Sequence, residues 1–236
     1  MGNSVVHVQA AHLGFLLHLC DPTLPIGGFS HSNGLETYVQ KKIVHNEATT
    51  ESFVRNTIEH NLLYNDASFV KLAYEASRDK DIQELILLDR ECSALKAPVE
   101  IKDASRKLGS RFMKIFERHT NSRLLADFKS AVSARDAEGQ YPIVYGLFAS
   151  EFGVPAAETI YGFCYNAAVS MITNAVKLVP IGQLAGQDIL VRMQEVIEKT
   201  TQRVLHLERE FVGVCNIGFD IRCMQHEKLY TRLYMS

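Results

Sequence analysis

The stretch GQDILVRMQEVIEKTTQRVLHLEREF, residues 186–211, decides the fold class. Ile189, Met193, Val196, Ile197, Val204, Leu207 and Phe211 recur at intervals that place them on one side of a helix. Arg192, Glu195, Glu198, Lys199 and Arg203 fall largely on the other side, and Glu195–Lys199 is a favourable i,i+4 charge pair. Such a segment needs apolar neighbours along its length. The rest of the chain supplies them in the same period. Over residues 99–119 the apolar positions Ile101, Ala104, Leu108, Phe112, Ile115 and Phe116 draw a second stripe. Phe53, Ile58, Leu62 and Leu63 draw a third, with Thr49 or Thr50 expected as its N-cap and Glu51 in its first turn.

No segment alternates in the manner of a strand between Asn-Gly or Asp-Gly turns, and no βαβ rhythm appears. Only residues 5–8 suggest a short strand, against the alternative of a frayed terminus. Proline and glycine break the pattern at residues 22–28, near Pro98, at 139–142, at 153–155 and at 180–182. These breaks have the length of loops, not of domain linkers. The expectation is all-α: residues 1–236 as a single-domain bundle of about ten helices, with 224–236 as a C-terminal tail.

Composition narrows the function. The chain has 236 residues, of which 47% are hydrophobic, and a formal charge of −2. That balance argues against a general nucleic-acid binder, whose non-specific affinity comes from neutralising phosphates. No apolar run reaches the roughly 18 to 20 residues that cross a bilayer, and the N-terminus makes a poor secretory signal. A cytoplasmic, non-membrane protein is expected. Cys20, Cys92, Cys164, Cys215 and Cys223 are scattered and odd in number, which points to buried thiols instead of disulfides.

Three constellations invite chemistry. Gly28-Phe29-Ser30-His31-Ser32 approaches a G-x-S-x-G nucleophile elbow, but Ser32 replaces the last glycine and no strand precedes it. A hydrolase using Ser30 therefore stands as a minor alternative. The same loop reads better as structure: Ser30 or Asn33 caps the next helix, and Asn33-x-x-Glu36 resembles a capping box. Gly182-x-x-x-Gly186 lacks the lysine of a P-loop and suits close backbone packing. Cys215, Cys223 and His226 offer a transient nickel or copper site at a spacing that matches no standard zinc site; two core thiols and a surface histidine are the plainer reading. No metal site and no cofactor are assigned.

The C-terminus is basic, aromatic and apolar at once. Leu229 and Leu233 are four apart, as are Tyr230 and Tyr234, so a helical tail would carry adjacent aliphatic and aromatic stripes. Tyr, Arg and Met are enriched at interface cores. The tail docks either on a partner or back on its own core.

Several motifs together resemble the UreF family of urease accessory proteins. They are DPTLPIGGFSHSNGLE at 21–36; KAPVE at 96–100 with Ala104-Ser105 and Leu108-Gly109; YPIVYG at 141–146; AVKLVPIGQ at 175–183; and His226-Glu227 through RLYMS at 232–236. The resemblance covers nearly the whole chain. It implies an all-α homodimer without catalytic residues that binds UreD (also called UreH) and the GTPase UreG, delivering nickel to apo-urease. It implies that His226, Glu227, Tyr230, Arg232, Leu233, Tyr234, Met235 and Ser236 order on UreD. Glu36 and Lys177 would lie on or near the face that meets the GTPase, with His31 and Ser32 in the same region. The family has also been discussed as modulating GTP hydrolysis.

Overall fold

The computed structural model describes residues 11–235. The short strand considered at residues 5–8 and the partner residue Ser236 lie outside the described residues. Among the described residues eleven α-helices follow one another: α1 (Ala11–Leu19), α2 (Leu35–Gln40), α3 (Glu47–Asn56), α4 (Asp66–Arg78), α5 (Ile82–Leu95), α6 (Val99–Phe116), α7 (Arg123–Ala134), α8 (Tyr141–Glu151), α9 (Ala156–Leu178), α10 (Gln183–His206) and α11 (Ile217–His226). Among the described residues there is no strand, so the all-α expectation holds.

The central element is α8. Its sequence YPIVYGLFASE has no polar face, and every residue from Pro142 to Ala149 is buried. A helix that is apolar all round belongs in the middle of a bundle. Helix α4 packs against it most extensively, with α6 and α1 alongside. Gly146 makes the closest approach possible: a Cβ there would sit 2.4 Å from the Val70 carbonyl oxygen. Around α8 lies an aromatic cluster in which Phe112 meets Phe116 at 4.6 Å and Tyr145 at 5.6 Å between ring centroids. Of the stripe expected on residues 99–119, Ala104, Phe112 and Phe116 are buried in α6 and Ile101, Leu108 and Ile115 half-buried.

The loop before α8 is fixed by one carboxylate. Asp89 of α5 is fully buried and accepts backbone N–H groups from Glu138, Gly139 and Gln140. Burial pushes its carboxyl above the usual range, and those three N–H donors pull in the opposite direction.

The two longest helices, α9 and α10, pack along each other. Gly186 faces α9, where a Cβ would meet Val176 at 3.0 Å and Ile172 at 3.2 Å. Its small size therefore serves packing within the chain. Helix α10 begins at Gln183 and stops at His206, so Leu207 and Phe211, expected on its apolar side, lie beyond it, and Phe211 is exposed. The polar face of α10 reaches α3, where Arg192 bonds Glu47 at 2.9 Å and Glu51 at 2.8 Å.

Helix α3 starts earlier than its sequence suggested. Asn46, not Thr49 or Thr50, is its N-cap. The Asn46 side chain accepts from the Thr49 N–H while the Thr49 hydroxyl accepts from the Asn46 N–H, and Glu47 occupies the first turn where Glu51 was expected. A reciprocal cap satisfies two of the helix's orphan donors and outcompetes a lone threonine.

Candidate functional site

The site grows from the loop that precedes α2. Ser30 donates its hydroxyl to the Gly27 carbonyl at 2.7 Å, closing a tight turn. Asn33 and Gly34 both adopt positive φ, 51° and 79°. Gly34 is the N-cap of α2 and makes no side-chain cap bond. The capping box expected from Asn33 to Glu36 is not formed, because left-handed Asn33 precedes the cap instead of occupying it. Gly34 has a second duty. A Cβ there would lie 2.7 Å from the Cys223 sulfur, so glycine lets α11 lie against the start of α2.

Freed from capping, Glu36 turns toward the C-terminus. Its carboxylate accepts the Leu233 N–H at 2.7 Å and the Tyr234 N–H at 3.3 Å, and it meets His226 Nε2 at 3.1 Å. The other ring nitrogen of His226 meets Glu100, in the first turn of α6, at 2.7 Å. Glu100 in turn receives Arg232 at 2.5 Å. Two further bonds fasten the ends: Gln40 donates to the Thr231 carbonyl at 3.1 Å, and the Met235 N–H donates to the Ser30 carbonyl at 2.8 Å. Three regions remote in sequence therefore converge on one clasp.

The tail is not the helix its spacing allowed. Helix α11 ends at His226, and residues 227–235 run as an irregular strap. The physical reason lies in the backbone: the N–H groups of Leu233 and Tyr234 are taken by Glu36 and that of Met235 by Ser30, which leaves none of them for helical bonds. The plain reading of His226 as a surface histidine also fails. It is fully buried, while Cys215, read as a core thiol, is exposed.

The strap divides the residues singled out from the sequence into two sets. Glu36, His226 and Tyr234 are buried and hold it down. Tyr230 is fully exposed, Leu233 is 66% and Met235 58% exposed, and Glu227 also faces out, while Arg232, at the surface, reaches back to Glu100. Phe29, beside Ser30, adds another exposed ring at 69%. Lys177 stands exposed in the last turn of α9 and makes no ion pair among the described residues; the structure does not join it to Glu36. His31 and Ser32 are buried, and Asn174 of α9 donates to the His31 carbonyl at 2.8 Å. Sequence reasoning gave no role to Glu100, the second carboxylate of the clasp. Its only signal was membership of the 96–100 motif.

Cys215, Cys223 and His226 do not form a ligand set. Both His226 nitrogens already face carboxylates, and burial, with Asp220 and Glu100 nearby, pushes the Cys223 thiol well above its usual range. Among the described residues no three His, Cys, Asp or Glu side chains are placed to hold a metal ion, and no helix is long and apolar enough to cross a membrane.

Comparison with known proteins identifies the family. A sequence model of the UreF family matches residues 44–194. The urease accessory protein UreF of Actinobacillus pleuropneumoniae is 46% identical over 224 residues, covering 95% of this chain and 99% of that one. The chain belongs to the UreF family. The UreF of Haemophilus influenzae strain PittEE is 45% identical, with 95% of each chain covered, and that of Sporosarcina pasteurii is 31% identical over 86% of this chain and all of that one. Both ends of the clasp, Glu36 and residues 226–235, lie outside the matched stretch.

Proposed function

We propose that this protein is the scaffold of a urease maturation assembly: a cytoplasmic homodimer that holds UreD (UreH) through its C-terminal strap, brings the GTPase UreG alongside and so supports nickel insertion into apo-urease, without covalent chemistry of its own. Modulation of GTP hydrolysis belongs to the same reading, with Glu36 and Lys177 near the GTPase. The observation that carries the proposal is the division within the strap. A carboxylate–imidazole–carboxylate clasp, buried at Glu36 and His226 and half-buried at Glu100, holds its backbone, and the side chains of Tyr230, Leu233 and Met235 are left facing outward. Ordering a strap costs conformational entropy. Holding apolar side chains out of the core on a fixed backbone is the arrangement of a pre-organised docking element.

The geometry also chooses the test. Cutting after Cys223 would remove His226 together with the strap, so a loss of binding could not be assigned to the strap alone. A cut after Lys228 keeps the histidine in place. Full-length chain, the 1–228 form and Tyr230→Ala/Leu233→Ala are mixed with UreD and UreG and read by size-exclusion light scattering. A UreD complex is expected with the full-length chain alone, each alanine costing roughly 1 to 3 kcal/mol of binding. Undiminished complex with the double variant would refute the strap as the docking element.

A further inference from the structure

The second half of α6 carries a face that the strap does not use. Lys107, Arg111 and Lys114 recur at helical spacing, and all three are exposed. Arg135, at the end of α7, joins them across an open groove of about 840 Å³. The acids nearby are already engaged: Asp103 with Arg106 at 3.1 Å, Glu138 with Lys102 at 3.6 Å and Asp136 with Arg90 at 3.1 Å. Lys107, Arg111, Lys114 and Arg135 have no carboxylate within ion-pair distance among the described residues. Arg111 donates to the Ile26 carbonyl at 2.9 Å, which fixes its guanidinium at the rim. The field of this group is felt inside the molecule. After burial itself, Lys107 and Arg111 are the causes that hold His31 below its ordinary value. Four unneutralised cations in one groove stand out in a chain whose formal charge is −2.

From this charge distribution we infer that the groove between α6 and the end of α7 is a second docking surface, complementary to an acidic protein surface. The inference rests on the assembly reading above and deepens it, since α6 would then link the strap at Glu100 to another acidic component. Shape decides against smaller or other anions. Lys107 to Lys114 span roughly 10 Å of helix axis, wider than one phosphate. No aromatic side chain lines the groove, so it offers nothing for a base to stack on. The negative overall charge repels a nucleic-acid backbone. Lysines and arginines on flexible stems, open to water, suit electrostatic complementarity with a broad protein face, where they set encounter rate and orientation.

The test uses the full chain with UreD, UreG and apo-urease. Lys107→Glu/Lys114→Glu is compared with Lys107→Gln/Lys114→Gln, with the strap variant Tyr230→Ala/Leu233→Ala, and with the unaltered chain, across a salt series. Circular dichroism and thermal melts show whether each exposed double variant remains folded. Expected is about a ten-fold or greater weakening of one component in the charge-reversed form, an intermediate loss in the glutamine form, and a salt dependence that is steep in the unaltered chain and flattened in the variant. Equal affinity for every component at every salt concentration would overturn the inference while leaving the strap reading intact. A single-stranded oligonucleotide that binds the unaltered chain and is lost on charge reversal, with the proteins unaffected, would overturn it in favour of nucleic acid. If no component binds the unaltered chain, the assembly reading falls and this inference falls with it.

Discussion

The helical core and the C-terminal strap are held by opposite means. Around α8 the adhesion is apolar and redundant: Phe112 alone touches Phe116, Tyr141, Tyr145 and Phe148. At the strap it is polar and concentrated, with two carboxylates, Glu36 and Glu100, engaging one histidine, one arginine and two backbone N–H groups. Apolar adhesion sums many weak contacts, whereas a buried hydrogen-bonded charge depends on a single partner. Loss of one polar contact is therefore expected to detach the strap without disturbing the bundle, in keeping with the docking role proposed for it.

Substitutions can break or sharpen this contrast. The largest effect belongs to the core. Phe112→Ala should cost about 3 to 5 kcal/mol, read as a fall in the urea midpoint of the whole chain. Next comes the clasp. Glu36→Ala leaves buried N–H groups and a buried histidine without their acceptor, a loss on the order of 3 kcal/mol confined to the strap. Hydrogen exchange at Leu233 and Tyr234 should become fast while α8 keeps its protection. A uniform loss of protection through α8 would show that the two regions are one cooperative unit.

Smaller again is a pH effect at His31. Burial, then Lys107 and Arg111, lower its folded-state value relative to the unfolded chain. A lowered value means that the contribution is complete above the unfolded value, about pH 6.5, and is lost as pH falls through the folded one. The urea midpoint should therefore drop between about pH 7.5 and about pH 5.5, and by less in His31→Gln. An equal drop in both would remove His31 from the account. Smallest is Tyr230→Ala, whose exposed ring should change stability by no more than about 0.5 kcal/mol.

Much of the core was legible in the sequence, because a 3.6-residue period records burial directly. Phe53, Ile58, Leu62 and Leu63 and the apolar side of α10 as far as Val204 are buried, as are Ala104, Phe112 and Phe116 of the α6 stripe, with Ile101, Leu108 and Ile115 half-buried. Loop positions at proline and glycine were legible for a similar reason, since those residues act locally. The ends of elements were not. Asn46 captured the start of α3, and α10 stopped before Leu207, where cap geometry decided what periodicity leaves open. The clasp was the least legible part. Glu36 looked like a helix cap because Asn33 stood three residues before it, yet its partners lie at 226, 233 and 234. A bond between residues so far apart leaves no period and no local spacing. Only the family resemblance pointed to both ends, and it assigned them to partners without showing that they meet.

The most direct test of the scaffold account is light scattering of UreD mixed with the chain carrying Tyr230→Ala/Leu233→Ala. The account predicts a folded, clasped protein with unchanged melting behaviour that no longer co-elutes with UreD. Co-elution as tight as that of the unaltered chain would contradict it.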